Sequence, residues 1–298
     1  MAMRSKLRNN VIKIVIALIV LFVFFKWINV LDAVRYIGEL NPYFFALAAL
    51  TILIINIIKM LRFYYLQHGL KLGISFKDSL IANSIAPIVG RLTPAKLGEG
   101  VKLFILKHDK KKVGFIFVME KLADIFTLLV VSVFAIYTLG SYYNAYITLA
   151  VIFIGVIIVL FNIEKFLNFV LKKNILEDSW FRNSLAEISP LQWMVFACFS
   201  TVMRFLIMSV PFIISAALGF DISLWIIIQT YAIAVLIGNV SGLPGGIGTR
   251  EISFSFLLVT YASLPKEAAG IIALMVIFTD LVIESLLALV GWLFLKKV

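Results

Sequence analysis

Ionisable side chains set inside apolar runs are the part of this sequence equipped for chemistry. Asp280 and Glu284 lie four residues apart in the last long apolar run, and Glu120 and Asp124 repeat that spacing in the third. On a helix such residues share a face, roughly 6 Å apart. Each charge at membrane depth costs at least ~2.5–3.5 kcal/mol, so each needs a partner or a function. Arg204 lies mid-way along the fifth run, before Pro211. Two Pro/Gly-broken stretches add Arg91, Lys96 and Glu99 in Arg91-Leu92-Thr93-Pro94-Ala95-Lys96-Leu97-Gly98-Glu99, and Arg250 and Glu251 in Gly242-Leu243-Pro244-Gly245-Gly246-Ile247-Gly248-Thr249-Arg250-Glu251. In a sheltered polar cavity, Lys96, Arg204, Arg250 and Arg91 suit an anionic head group, because Arg grips phosphate bidentately. Glu99, Glu120, Asp124, Glu251, Asp280 and Glu284 suit counter-charges, ligands for a cationic group, or proton carriers. Helix N-termini and free N–H groups at the breaks would add positive potential.

Simpler roles compete at several positions. Glu120, beside Lys121, reads equally as a solvated residue near a helix end. Arg204 reads also as a structural partner of Asp280 or Glu284, and Arg250 with Glu251 as a local pair holding a turn. The backbone residues Pro94, Gly98, Pro244, Gly245, Gly246 and Gly248 define the breaks, although the glycines also suit tight helix packing.

The two breaks are placed alike. Pro94 and Pro244 are 150 residues apart in a chain of 298, and a Gly follows each by four. Interrupted hydrophobic segments at matching places in two halves point to a transporter's midplane site. The acidic pairs do not follow this spacing, because 150 residues beyond Glu120 and Asp124 lie Gly270 and Leu274.

The elements positioning these residues are membrane helices. The chain is 62% hydrophobic and 14% charged, with mean hydropathy +1.07, far from the balance of a soluble domain. Spans of roughly 20 residues are expected at about 10–30, 42–66, 115–139, 144–162, 193–218 and 267–295. Shorter pieces flank the breaks, about 79–90 with 97–106 and about 224–241 with 251–263, and read as two re-entrant helical hairpins. The net charge of +11 follows from basic residues gathered on one side. Among them are Lys59, Arg62, Lys71 and Lys77 after the second span, and Lys102, Lys107 and Lys110–Lys112 around the first break. Both termini are then cytoplasmic in a plasma-membrane protein, and nucleic acid is not implied. The expected fold is all-α, one membrane domain over 1–298: an extra N-terminal helix (1–41, an uncleaved anchor), a first repeat (42–162) and a second, inverted repeat (193–298). Cys198 is the sole cysteine, and His68 and His108 stand apart, so neither metal nor cofactor is expected. No Walker motif is present.

The motifs Pro94-Ala95-Lys96-Leu97-Gly98-Glu99, Glu120 with Asp124, and Gly242 to Glu251 resemble the family typified by the transmembrane flippase region of bacterial lysylphosphatidylglycerol synthases, the multiple peptide resistance factors. Related members are fused to glycosyltransferases or stand alone. The resemblance covers nearly the whole chain, and it implies a helical bundle with two re-entrant hairpins and lipid translocation. The catalytic domain of the lysyl-transferring members is not expected within this sequence. The longest hydrophilic stretch, about 163–192, is too short to fold as a transferase. The expected activity is translocation of an anionic, aminoacylated or glycosylated lipid, not enzymatic, with a separate soluble transferase as a possible partner. A membrane-embedded enzyme, a recruiting scaffold and a small-solute transporter remain alternatives.

Overall fold

A computed structural model describes residues 16, 19–93, 96–139, 179–241 and 243–295. All the elements in it are helical: α1 (Ile19–Ile28), α2 (Val30–Arg35), α3 (Pro42–Gly69), α4 (Phe76–Arg91), α5 (Lys102–Ile105), α6 (Lys110–Leu139), α7 (Ser179–Glu187), α8 (Pro190–Ala217), α9 (Leu224–Val240), α10 (Thr249–Tyr261) and α11 (Lys266–Leu295). A 3₁₀ segment, Leu97–Val101, leads into α5. The helices α3, α6, α8 and α11, with 28, 30, 28 and 30 residues, are long and apolar enough to cross a membrane. The chain is an all-α, multi-pass integral membrane protein. The span expected at 144–162 lies outside the described residues, as do residues 10–15, 17 and 18 of the one expected at 10–30.

Local sequence sets the helix limits. Pro42 and Pro190 both occupy the first turn, where proline's missing N–H costs nothing. Asn41 caps the first of these helices, and Ser189 with Gln192 forms a capping box on the second. In contrast, α4 has 16 residues and α9 has 17, and each ends at a break. At 1.5 Å per residue they are about 24–26 Å long, short of a ~30 Å hydrocarbon core. After the breaks, the return arms differ in length. α10 has 13 residues, whereas the five-residue 3₁₀ segment and four-residue α5 replace the single expected segment 97–106.

Packing pairs each half with the other. The most extensive contact is between α3 and α8, which run antiparallel: Arg62 meets Ser200 at one end, and Asn41 N–H donates to Ala217 O at the other. Across the halves, α4 packs on α11 and α9 on α6, so the helix before each break packs on a long apolar helix of the opposite half. Direction follows from the contacts. Ser132 and Thr138 of α6 meet Ala232 and Gln229 of α9, which is antiparallel. Tyr231 stacks on Phe254, so α10 turns back along α9, and Ser255 bonds Ala269 as the chain turns again into α11. α6 and α11 therefore point opposite ways.

Candidate functional site

Counted from their first residues, Asp124 and Asp280 are each the fifteenth residue of α6 and α11. The longer second return arm hides this match from a constant 150-residue spacing. Around these two aspartates the helices bring together a buried ionic network in three parts.

In the first part, Arg91 ends α4 and reaches α11. Its Nε donates to Glu284, and Nη2 lies 3.2 Å from Asp280 Oδ2. Lys59 Nζ of α3 lies 3.9 Å from the other Glu284 oxygen. In the second part, Arg62 Nη1 donates to Asp124 at 2.7 Å, and its Nε lies 3.7 Å from Glu120. The far oxygen of Glu120 accepts from Lys102 Nζ at 3.0 Å, and that ammonium also sits over the Phe63 ring. Lys121 pairs with Glu99 at 2.5 Å, tying the 3₁₀ segment to α6. In the third part, Arg250 Nε pairs with Glu251 at 3.0 Å, and Glu251 accepts from Gly248 N–H at 2.6 Å.

Several expectations need correction. Glu120 is buried, not solvated, because it has both Arg62 and Lys102 as partners. Arg204 does not pair with Asp280 or Glu284. It faces α6, donating to the Asp124 carbonyl and, at 3.2 Å, to Thr127 Oγ1. Lys59, Arg62 and Lys102 are not loop charges marking one side of the membrane. Lys59 and Arg62 lie within the last three turns of α3, and Arg62 and Lys102 are among the most buried cations of the described residues. The α10 N-terminus is already answered by Glu251, so its N–H groups are not wholly free for a ligand.

The networks enclose one cavity of about 490 Å³, within the range of small-ligand sites. Its cations are Lys59, Lys96, Lys121, Arg204 and Arg250. Its acids are Glu99, Asp124, Asp280 and Glu284. Arg91, Glu120 and Glu251 do not line it and act one layer behind, through the residues they pair with. Adding Arg62, Arg91 and Lys102 gives eight cationic side chains against six acidic ones. The site is left with an excess of two positive charges. Among the described residues Lys96 Nζ has neither an ion pair nor a hydrogen bond. It lines the cavity from a left-handed backbone position, φ 56°.

The breaks hold this geometry by close backbone contact. Gly245 N–H donates to Thr93 O at 3.2 Å, so the two breaks touch. Gly246 has φ +69°, and a Cβ there would lie 2.9 Å from the Gly238 backbone. A Cβ on Gly98 would fall 2.4 Å from Val89 O. Packing therefore accounts for these two glycines. Pro94 and Gly242 lie outside the described residues.

Sequence reasoning assigned no site role to Lys59, Arg62, Lys102, Lys121 or Tyr231. A signal existed for the first two. Apolar sequence continues past them to Leu66, so they sit inside an apolar run and not after it.

A family model described as the lysylphosphatidylglycerol synthase TM region matches residues 10–288. A search of curated proteins finds no match.

Proposed function

The chain belongs to the lysylphosphatidylglycerol synthase TM region family, which implies a function tied to membrane lipids, and on that premise we propose that it is a polar-lipid translocase. It moves an anionic head group, phosphate in the first instance, between leaflets through the central cavity. The observation that carries this reading is the charge balance of the cavity. Eight cations, five of them buried, against six acids leave an excess of two positive charges that a phosphate-bearing ligand neutralises. Lys96 and Arg250 take the phosphate, with Arg204 and Lys59 beside it. Asp124 and Asp280 keep the empty cavity from repelling itself and accept a cationic group when the head group carries one. Membership of the two halves in an inverted repeat is supported by the matched helix lengths, the antiparallel α3–α8 pair, and Asp124 and Asp280 at equivalent positions. Such repeats support alternating access about a central site. The breaks serve as re-entrant tips, and both termini are cytoplasmic in the plasma membrane.

The test is a leaflet-accessibility assay on proteoliposomes with fluorescent phospholipids and no ATP. Wild type is expected to expose inner-leaflet probe to quencher, and Lys96→Gln and Arg250→Gln to lose that activity while remaining folded. Absence of movement for anionic, aminoacylated and glycosylated probes alike would overturn translocation in favour of an enzyme or a recruiting scaffold.

A further inference from the structure

A lipid translocase must let acyl chains leave the head-group cavity sideways, and the α6–α9 pair holds an opening of that kind. The two helices are zipped at one end. Ser132 Oγ donates to Ala232 O, Gln229 bonds Thr138, and Phe134 stacks edge-on against Trp225 at 5.3 Å. Toward the other end both helices line the cavity. Ile125 and Val240 both line the cavity, yet are 43% and 78% exposed. Between zip and gap the cavity wall is apolar, with Leu128, Leu129, Val235 and Leu236. Charged groups line the rest of the cavity.

The opposite half holds the counterpart, and it is shut. Ile125 is the sixteenth residue of α6, and Leu281 is the sixteenth of α11. Val240 is the seventeenth residue of α9, and Leu92 directly follows the sixteen-residue α4. Leu92 and Leu281 are 74% and 45% exposed, like their counterparts, but neither belongs to the cavity wall. Between them and the cavity stands Arg91, joined to Asp280 and Glu284. The other end of the α4–α11 pair is tightly zipped, since a Cβ on Gly291 would lie 3.0 Å from Ser84 Cβ. Because α6 and α11 point opposite ways, the open gap lies toward the Lys110 end of α6 and the closed one toward the opposite leaflet.

We infer that the gap between Ile125 and Val240 is the passage for lipid acyl chains, and that Arg91 with Asp280 and Glu284 is the seal on its counterpart at Leu92 and Leu281. The conformation is thus open to one leaflet. In the alternate conformation Arg91 releases α11, the Leu92–Leu281 side opens, and the Ile125–Val240 side closes. This rests on the translocase reading for its purpose, but acyl-chain occupancy can be measured without movement.

The experiment starts from Cys198→Ser, which removes the native thiol, and adds the pair Ile125→Cys/Val240→Cys or Leu92→Cys/Leu281→Cys. Proteoliposomes contain phosphatidylglycerol with a photoactivatable group on the acyl chain. The sites labelled are mapped by mass spectrometry, and lipid movement is followed in parallel. Photolabel is expected on the buried cavity residues Met203 and Leu128. Closing the 125–240 gap with a bifunctional thiol reagent removes that label at least tenfold, and a cleavable reagent restores it. Bridging 92–281 leaves the label in place, yet both bridges stop lipid movement. Cavity labelling that survives the 125–240 bridge, or that is absent while lipid moves, overturns the passage. Labelling without movement in the unbridged protein upholds the passage and sinks translocation. Movement that persists through the 92–281 bridge overturns the assignment of the counterpart.

Discussion

Glu120 offers a sharp test of how the ionic network divides between support and function. It is 3% exposed and lies behind the cavity wall, bonded to Lys102 Nζ at 3.0 Å and facing Arg62 Nε at 3.7 Å. With an effective dielectric of 20, each pair is worth about 4–6 kcal/mol before desolvation. Burying the carboxylate costs several kcal/mol, which brings the loss on Glu120→Gln to about 3–5 kcal/mol, the usual result of orphaning a buried cation. Arg62 keeps Asp124, so most of the loss belongs to Lys102. Removing both charges with Glu120→Gln/Lys102→Met should therefore recover at least half of it. The assay is reversible unfolding in mixed micelles for the two single variants and the double. Head-group binding should be little changed in the double variant, because neither side chain lines the cavity. A cost below about 1 kcal/mol for Glu120→Gln, or a double variant as unstable as the sum of the singles, would refute the argument.

Other outcomes follow from the same contacts. Lys96→Gln should change stability by less than about 1 kcal/mol, because its ammonium has no partner among the described residues. It should weaken binding of a short-chain phosphatidylglycerol at least tenfold, read by calorimetry in detergent. Gly246→Ala should cost about 2–4 kcal/mol, combining a left-handed backbone with displacement of Gly238, and unfolding in mixed micelles reads it. Lys112→Gln should cost about 1 kcal/mol, since its pair with Glu187 is part-exposed and its Nζ also donates to Leu70 O at 3.0 Å. High salt should shrink the part of that difference due to the Glu187 pair and leave the part due to the Leu70 hydrogen bond, in the same measurement.

The long helices and the two breaks were legible because both rest on local chemistry: apolar length in the first case, Pro and Gly in the second. The site was legible where a charge interrupts an apolar run far from either end, as at Arg204, Asp280 and Glu284. It was not legible in α3, where Lys59 and Arg62 lie within three turns of the helix end and have the composition of a basic flank. The decisive clue was periodic. Asn56 and Lys59 are three apart, and both line the cavity, so one face of α3 is polar well before the helix ends. Partner choice was beyond the sequence altogether. Arg204 has equally good acidic neighbours in principle on α6 and α11, and only the packing of α8 on α6 decides between them.

The halves share their aspartates but not their cations. Asp124 and Asp280 hold equivalent positions, and Asn56 in α3 stands where Arg204 stands in α8, each the fifteenth residue of its helix. Of the eight cations, six come from the first half: Lys59, Arg62, Arg91, Lys96, Lys102 and Lys121. The acids divide evenly, with Glu99, Glu120 and Asp124 against Glu251, Asp280 and Glu284. The first half therefore supplies the positive excess, and the second is slightly negative. On the translocase reading, a bound phosphate is drawn toward the first half, and a cationic group on the same head group competes with Arg91 for Asp280 and Glu284, which line the cavity where Arg91 does not. A ligand of that kind would weaken the contact proposed to seal the Leu92–Leu281 side, linking binding to opening of the far leaflet through a single guanidinium.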